Sequence, residues 1–267
     1  LHAQPAAFRE AYAETPGARL FYIDSGGNGI PVVLLHANTG SSRVWEHQIP
    51  ALTAAGYRVI AFDRRGWGRT EIRPDGPQPG TAADDLRGLL DSLHIERIHL
   101  VGTAGGGFVA LDFALSYPER LRSLVVANSI GGFQDPEFLE MGRRLRPPQF
   151  DALPPELREV GPDYRAANPD GTKRWIELEK ISRPPGPPAA AQPLRNRLTL
   201  ALLEKIHTPT LLLTGGADLY APPPVMRLFA ARIEGAEFFV VPEAGHSTYW
   251  ERPEVFNQAV LAFIGKH

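Results

Sequence analysis

An α/β fold on a mostly parallel sheet is predicted by three features of the sequence. Short apolar runs of strand type alternate with longer helical patterns, first at 32–35, 44–55, 58–62 and 81–93. Such alternation implies βαβ units and a sheet buried on both faces. Residues 97–117, RIHLVGTAGGGFVALDFALSY, read as strand, very tight turn and helix. Gly102 and Gly106 flank Ala104 symmetrically, the spacing needed where a strained residue lets strand and helix approach closely. At 267 residues, 43% hydrophobic and 22% charged, the chain can bury one large α/β core.

Composition excludes several classes. A net charge of -2 gives no argument for nucleic acid or an anionic membrane surface as partner. The absence of cysteine excludes disulfides, Cys-based metal sites and thiol catalysis. No apolar run approaches the roughly 18 residues of a membrane span. No two histidines have metal-ligand spacing, so no metal is assigned, and no cofactor is expected. Gly105-x-Gly107-x-x-Ala110 fits a dinucleotide fingerprint loosely, but Asn128 stands where that fingerprint wants an acid. The sequence starts at Leu1 rather than Met. A cytoplasmic location is favoured, and a secreted or periplasmic one after signal removal stays open.

Taken in order, residues 7–24 read as a hairpin around Pro16-Gly17. Val32–Leu35 is a buried-type strand running into the small-residue loop 36–40. A helix covers Val44 to Ala55 and stops at Gly56. Strand Arg58–Phe62 ends in Asp63, followed by a polar loop to Pro79. Thr81 caps helix 81–93, whose first turn carries acids. After the central strand and helix comes strand Leu124–Ala127, and then the alternation breaks. Residues 134–205 hold helical stretches 137–145 and 173–181 between Pro-rich loops at 146–148 and 184–188. They read as an insertion with its own short helices, splitting a core domain of 1–133 and 206–267. The α/β pattern resumes with strand 210–213, helix 225–233, strand 237–241 and helix 253–264.

Open α/β sheets bind ligands beyond the carboxyl ends of their strands. That places His36-Ala37-Asn38, Asp63, Ala104, Asn128, Asp218 and His246 at candidate positions. The order 104, Asp218, His246 is the nucleophile–acid–base order of one hydrolase class. In that chemistry the base takes the nucleophile's proton and the carboxylate orients the base and stabilises its cation.

Five segments stand at the order and spacing of one family: LLHANTGSS (34–42), FDRRGWGRT (62–70), VGTAGGG (101–107), TGGADLYAPP (214–223) and EAGHSTYWERPEVFN (243–257). The chain resembles the α/β-hydrolase fold over essentially its whole length. The resemblance implies a mostly parallel eight-stranded sheet with helices on both faces and a small cap over the site. It implies Asp218 as triad acid, His246 as base, and the backbone N–H groups of Asn38 and Gly105 as the oxyanion hole. Some members carry the acid one strand earlier, but Asn128-Ser129 there favours Asp218. Two departures stand out: His36-Ala37 replaces the usual His-Gly, and Ala104 replaces the nucleophile. An aspartate nucleophile is missing equally, so dehalogenase or epoxide hydrolase chemistry is not implied.

The expected function is hydrolysis of carboxylic esters or related acyl compounds by a Ser-His-Asp mechanism. The serine is replaced by Ala104, which leaves a nearly inactive, substrate-trapping chain. Other readings stay open: a naturally serine-less ligand-binding protein, a cofactor-free lyase or oxygenase with His246 as base, or an ordinary turn that needs small residues. Lactonase and C–C bond hydrolase are near neighbours. His36, Trp67, Tyr249 and Trp250 are the candidate substrate-binding residues. His36 would orient its loop, and the three others would line a largely apolar acyl or aryl pocket. Asp63, Arg65 and Glu251 read as structural anchors. The aromatics Phe133, Phe138, Phe150, Tyr164 and Trp175 are expected to form mainly the cap's own small core, with Arg143, Arg144 and Arg146 solvated. The partner is a small-molecule ester or acyl substrate, and a homo-oligomer is left open.

Overall fold

The computed structural model describes residues 8–146 and 148–267. The start of the chain through residue 7, and Pro147 of the first Pro-rich loop, lie outside the described residues. The first hairpin is β1 (Arg9–Thr15) and β2 (Ala18–Asp24), antiparallel from Arg9↔Asp24 to Thr15↔Ala18. Then come β3 (Pro31–Leu35), α1 (Gln48–Ala54), β4 (Arg58–Phe62) and a two-residue β5 (Glu71–Ile72). Helix α2 (Ala82–Ser92) leads to β6 (Ile98–Thr103), α3 (Gly105–Ser116) and β7 (Leu121–Ala127). An inserted run follows: α4 (Pro136–Leu145), α5 (Pro155–Glu159), α6 (Pro162–Ala167) and α7 (Pro169–Lys180). The chain closes with β8 (Thr210–Gly215), α8 (Pro223–Ala230), β9 (Glu237–Val241), α9 (Thr248–Glu251) and α10 (Pro253–Ile264).

The sheet runs β1-β2-β4-β3-β6-β7-β8-β9, with β5 attached to β2. The pairings from β4 to β9 are parallel, and the β1–β2 and β2–β4 pairings are antiparallel. The predicted eight strands are therefore present, with β5 added. Apolar side chains of the parallel strands alternate between two buried clusters. Val33, Leu100, Leu124 and Leu212 face the cluster of α2, α3 and α8. Val32, Val101, Val125 and Leu213 face that of α1 and α10. This two-sided burial is the reason the strands read as unbroken apolar runs.

Some boundaries differ from expectation. The predicted helix 44–55 is a 3-10 turn, Ser42–Trp45, followed by α1. Pro50 explains the break, because it falls in the first turn of α1, where a missing N–H costs nothing. The helix expected at 225–233 starts at Pro223, with proline in its first turn. Short helices α5 and α6 read as loop in the sequence, since their prolines occupy the first helical positions. The aromatics of the inserted run do not form a separate core. Phe133 and Phe138 pack with Phe229 of α8, with ring centroids 4.8–5.6 Å apart, and Tyr164 and Trp175 join the opposite cluster. Phe150 packs edge-on against Tyr220, 4.8 Å between centroids. Among the described residues, no helix is long and apolar enough to cross a membrane.

Candidate active site

Strands β3 and β6 are parallel neighbours, with Leu35 opposite Gly102. The loops that leave their carboxyl ends, 36–38 and 104–105, are thereby brought side by side. Ala104 takes φ 49°, ψ -117° between β6 and α3. A residue with a Cβ holds such a conformation at a cost of order 1–3 kcal/mol, so its surroundings must enforce it. Ala104 N donates to Ala127 O at 3.0 Å, while Gly107 N and Ser129 Oγ donate to Ala104 O at 2.9 and 2.7 Å. The flanking glycines are needed for clearance. A Cβ on Gly102 would lie 2.5 Å from the carbonyl oxygen of Gly106, and one on Gly106 would lie 2.3 Å from that of Leu35.

His246 and Asp218, expected from chain order and the family resemblance as base and acid, are bonded to each other. His246 Nδ1 lies 2.9 Å from both carboxylate oxygens of Asp218. This fixes the neutral imidazole with its proton on Nδ1 and leaves Nε2 as the free basic nitrogen. Asp218 is buried, and it is held by Tyr220 N at 2.8 Å, Ala221 N at 2.9 Å and Asn128 Nδ2 at 2.9 Å. Burial alone would raise the Asp218 pKa; the His246 charge and these hydrogen bonds outweigh it and lower it. Burial alone would lower the His246 pKa; Asp218, with Glu159 and Glu251 behind it, raises it. Asn128, at φ 48°, also accepts from Thr248 Oγ1, so the residue after β7 braces the acid from the side.

The 36–38 loop is built around a buried cation. His36 Nδ1 lies 2.7 Å from Ala37 O, and His36 Nε2 accepts from Arg64 N at 3.2 Å. Burial, and then the Arg64 charge, hold the His36 pKa well below its usual value. Arg64 is itself buried, and Nη2 donates to His36 O at 3.1 Å and to Asn38 Oδ1 at 3.0 Å. Burial, with Arg183 nearby, lowers its pKa to about 9. Asp63, at the end of β4, accepts from Ser42 N and Arg69 N at 2.6 and 2.8 Å, as expected of a loop anchor. Glu251 likewise accepts from Gly161, Gly245 and Ser247 N–H groups at 2.8–3.2 Å.

A cavity of about 330 Å³ opens at this point. Ala104, Gly105, Asn38 and His246 share its wall with Phe108 and Ile130. Helix α5, the end of α7 and the segment just beyond it add Arg158, Glu159, Glu179 and Arg183, so the lining is mixed rather than largely apolar. These four were not among the candidate site residues, because a helical pattern in the inserted run does not report which of its polar residues turn toward the cavity. Tyr220, also on the wall, lays its ring 4.6 Å from that of His246.

The candidate substrate-binding residues are not brought to this wall. Tyr249 and Trp250 are buried in the core. Tyr249 packs on Trp45 at 5.0 Å, and Trp250 packs on His47 at 5.1 Å. They belong to α9, whose inner face closes over α1 and α10, so nearness in sequence to His246 does not carry them to the cavity. His36 serves its own loop. Trp67 donates from Nε1 to Asn38 O at 2.9 Å and lies 4.4 Å from the guanidinium groups of both Arg64 and Arg183.

A family described as alpha/beta hydrolase fold matches residues 30–253. The chain belongs to the α/β-hydrolase family. Among its relatives in that family is the 2-hydroxy-6-oxononadienedioate/2-hydroxy-6-oxononatrienedioate hydrolase of Paraburkholderia phymatum. It is 31% identical over 273 residues, covering 93% of this chain and 91% of the relative. A thermophilic esterase from Thermogutta terrifontis, solved with malate bound, is 31% identical with a TM-score of 0.79, covering 98% of this chain and 99% of the esterase. Est816, described as an N-acyl homoserine lactone degrading enzyme, is 25% identical with a TM-score of 0.74, covering 94% of this chain and 99% of that one. These α/β-hydrolase relatives are hydrolases and a lactone-degrading enzyme, and this supports an enzyme scaffold for the present chain.

Proposed function

We propose that this is a carboxylic ester or acyl hydrolase site in which Ala104 occupies the place of the nucleophilic serine, so that the chain binds substrate with little turnover. The observation that carries the reading is the His246–Asp218 pair at 2.9 Å, on one cavity with a strained residue at 104. A hydroxyl at position 104 would attack the carbonyl carbon and give its proton to His246 Nε2. The N–H groups of Asn38 and Gly105 would stabilise the oxyanion, and His246 would pass the proton to the alcohol as the ester C–O bond breaks; water, deprotonated by His246, would then cleave the acyl-serine to release the acid and restore the hydroxyl. Asp218 would hold the imidazole tautomer and offset its charge. The esterase and lactone-degrading relatives support this substrate class. The inserted helices act as the cap, since Pro155, Arg158 and Glu159 complete the cavity wall.

The test is a paired assay of the chain and its Ala104→Ser form on p-nitrophenyl esters and lactones. Loss of a nucleophile costs about a million-fold in a well-studied triad. Strong activity confined to the serine form is the expected result. Equal turnover by both forms would overturn the reading in favour of chemistry led by His246 alone.

A further inference from the structure

Two arginines face the cavity without an ion-pair partner among the described residues: Arg158 on α5, and Arg183 just beyond α7. Arg158 is half-buried. Its Nη1 donates to the Tyr220 hydroxyl at 3.0 Å, while its buried Nε has no acceptor. Tyr220 is the residue whose ring packs on His246. Arg183 is exposed, lies against Trp67 and donates from Nη2 to Asn38 O at 3.4 Å. One cation therefore stands near the base and the other near the oxyanion loop. The acyl-transfer scheme above uses neither.

Glu159 and Glu179 share the wall, and neither pairs with an arginine within 4.0 Å among the described residues. Glu159 is buried, with one long hydrogen bond, from Thr39 Oγ1 at 3.4 Å. Burial raises both carboxyl groups. A guanidinium keeps its charge at any working pH. Neither guanidinium is neutralised by a carboxylate within 4.0 Å on this wall, so both keep their positive charge available to a ligand among the described residues. Apart from the Nη1 bond to Tyr220, the Arg158 side chain makes no hydrogen bond among the described residues, so its guanidinium retains donor capacity for an incoming carboxylate. The planar fork of arginine suits that group.

We propose that the ligand of this cavity carries a free carboxylate in addition to its reacting carbonyl. Arg158 binds that carboxylate, assisted by Arg183, and so selects monoesters of dicarboxylic acids over neutral diesters. The inference rests on the acyl-binding reading above, but it needs no turnover, because the Ala104 chain can be titrated directly.

The experiment is calorimetric titration of the chain with monomethyl glutarate and with dimethyl glutarate, each at low and high salt. The monoester is expected to bind at least about tenfold more tightly, the usual scale of a charge-assisted hydrogen bond. The preference should shrink with salt, vanish in Arg158→Met and weaken in Arg183→Met. If Arg158→Met does not fold, Arg158→Lys should keep only part of the preference. Equal or tighter binding of the diester, or a preference unchanged in the arginine variants, overturns carboxylate recognition and leaves the acyl site standing. Binding of neither compound overturns the acyl-site reading and this inference with it.

Discussion

Arg64 Nη2 donates to Asn38 Oδ1 at 3.0 Å from a guanidinium that makes no ion pair among the described residues. A buried cation is thereby committed to holding one loop. The Asn38 side chain it grips packs against Gly105, where a Cβ would come within 2.4 Å of Asn38 Oδ1. The spacing between the two proposed oxyanion donors depends on that grip. In the Ala104→Ser background, Arg64→Met is expected to lower kcat by about ten- to hundredfold and leave KM within about twofold, part of the loss seen when an oxyanion donor is deleted outright. Removing a buried cation that lacks a counter-charge should leave the melting temperature unchanged or raised. Kinetics and a thermal melt on the same variant separate the two effects.

Arg65, one residue on, shows the opposite economy. Its Nε and Nη2 meet both oxygens of Asp85 at 2.8 and 2.7 Å, and both side chains are about 3–4% exposed. Arg65→Met would strand a buried carboxylate and should cost about 3–5 kcal/mol, read as a shift in the urea midpoint. The double variant Arg65→Met/Asp85→Leu should recover most of that loss.

Gly106→Ala probes the tight turn. The added Cβ would sit 2.3 Å from Leu35 O, a backbone atom that cannot move without displacing β3. Severe destabilisation or failure to fold is expected, while Gly26→Ala, whose Cβ would meet nothing within 4 Å, should cost far less despite its positive φ. Comparable melting temperatures for the two variants would contradict the packing account.

Two buried histidines set an acid limit. His99 Nδ1 lies 2.7 Å from Ser123 Oγ, and burial, then Arg122, lowers its pKa to about 4. His36 is lowered in the same direction. Between pH 6.5 and about 4 the unfolded chain takes up protons at these positions that the folded chain refuses, so stability falls as pH falls through that window. Denaturation midpoints measured at pH 7 and pH 5 should show the loss, and His99→Gln should reduce it. His246, raised by Asp218, adds stability as pH falls to 6.5 and holds it constant below, while the carboxyls of Asp63, Asp85, Glu159 and Glu251, raised by burial, oppose the loss within the window.

The order and type of the strands were legible because each parallel strand is buried on both faces and therefore apolar without interruption. The turn at 104 was legible because only glycine fits at 102 and 106. Asp218 and His246 were legible by position, since strand ends converge wherever the sheet is parallel. Side-chain direction was not legible beyond the strands. Tyr249 and Trp250 lie close in sequence to His246 yet point into the core, and nothing in a four-residue helix announces its inner face. Arg158, Glu159, Glu179 and Arg183 reach the cavity from α5, α7 and the segment just beyond α7, whose sequence is mostly polar, so the inward residues have no contrast with their neighbours.

Glu251 has a wider reach than an anchor. One carboxylate oxygen receives the N–H of Gly161, at the start of α6, and that of Gly245, beside His246. The inserted run and the segment that carries His246 are stitched to the same atom. A displacement of the chain at the start of α6 would therefore be felt at Gly245, next to His246, through that shared oxygen.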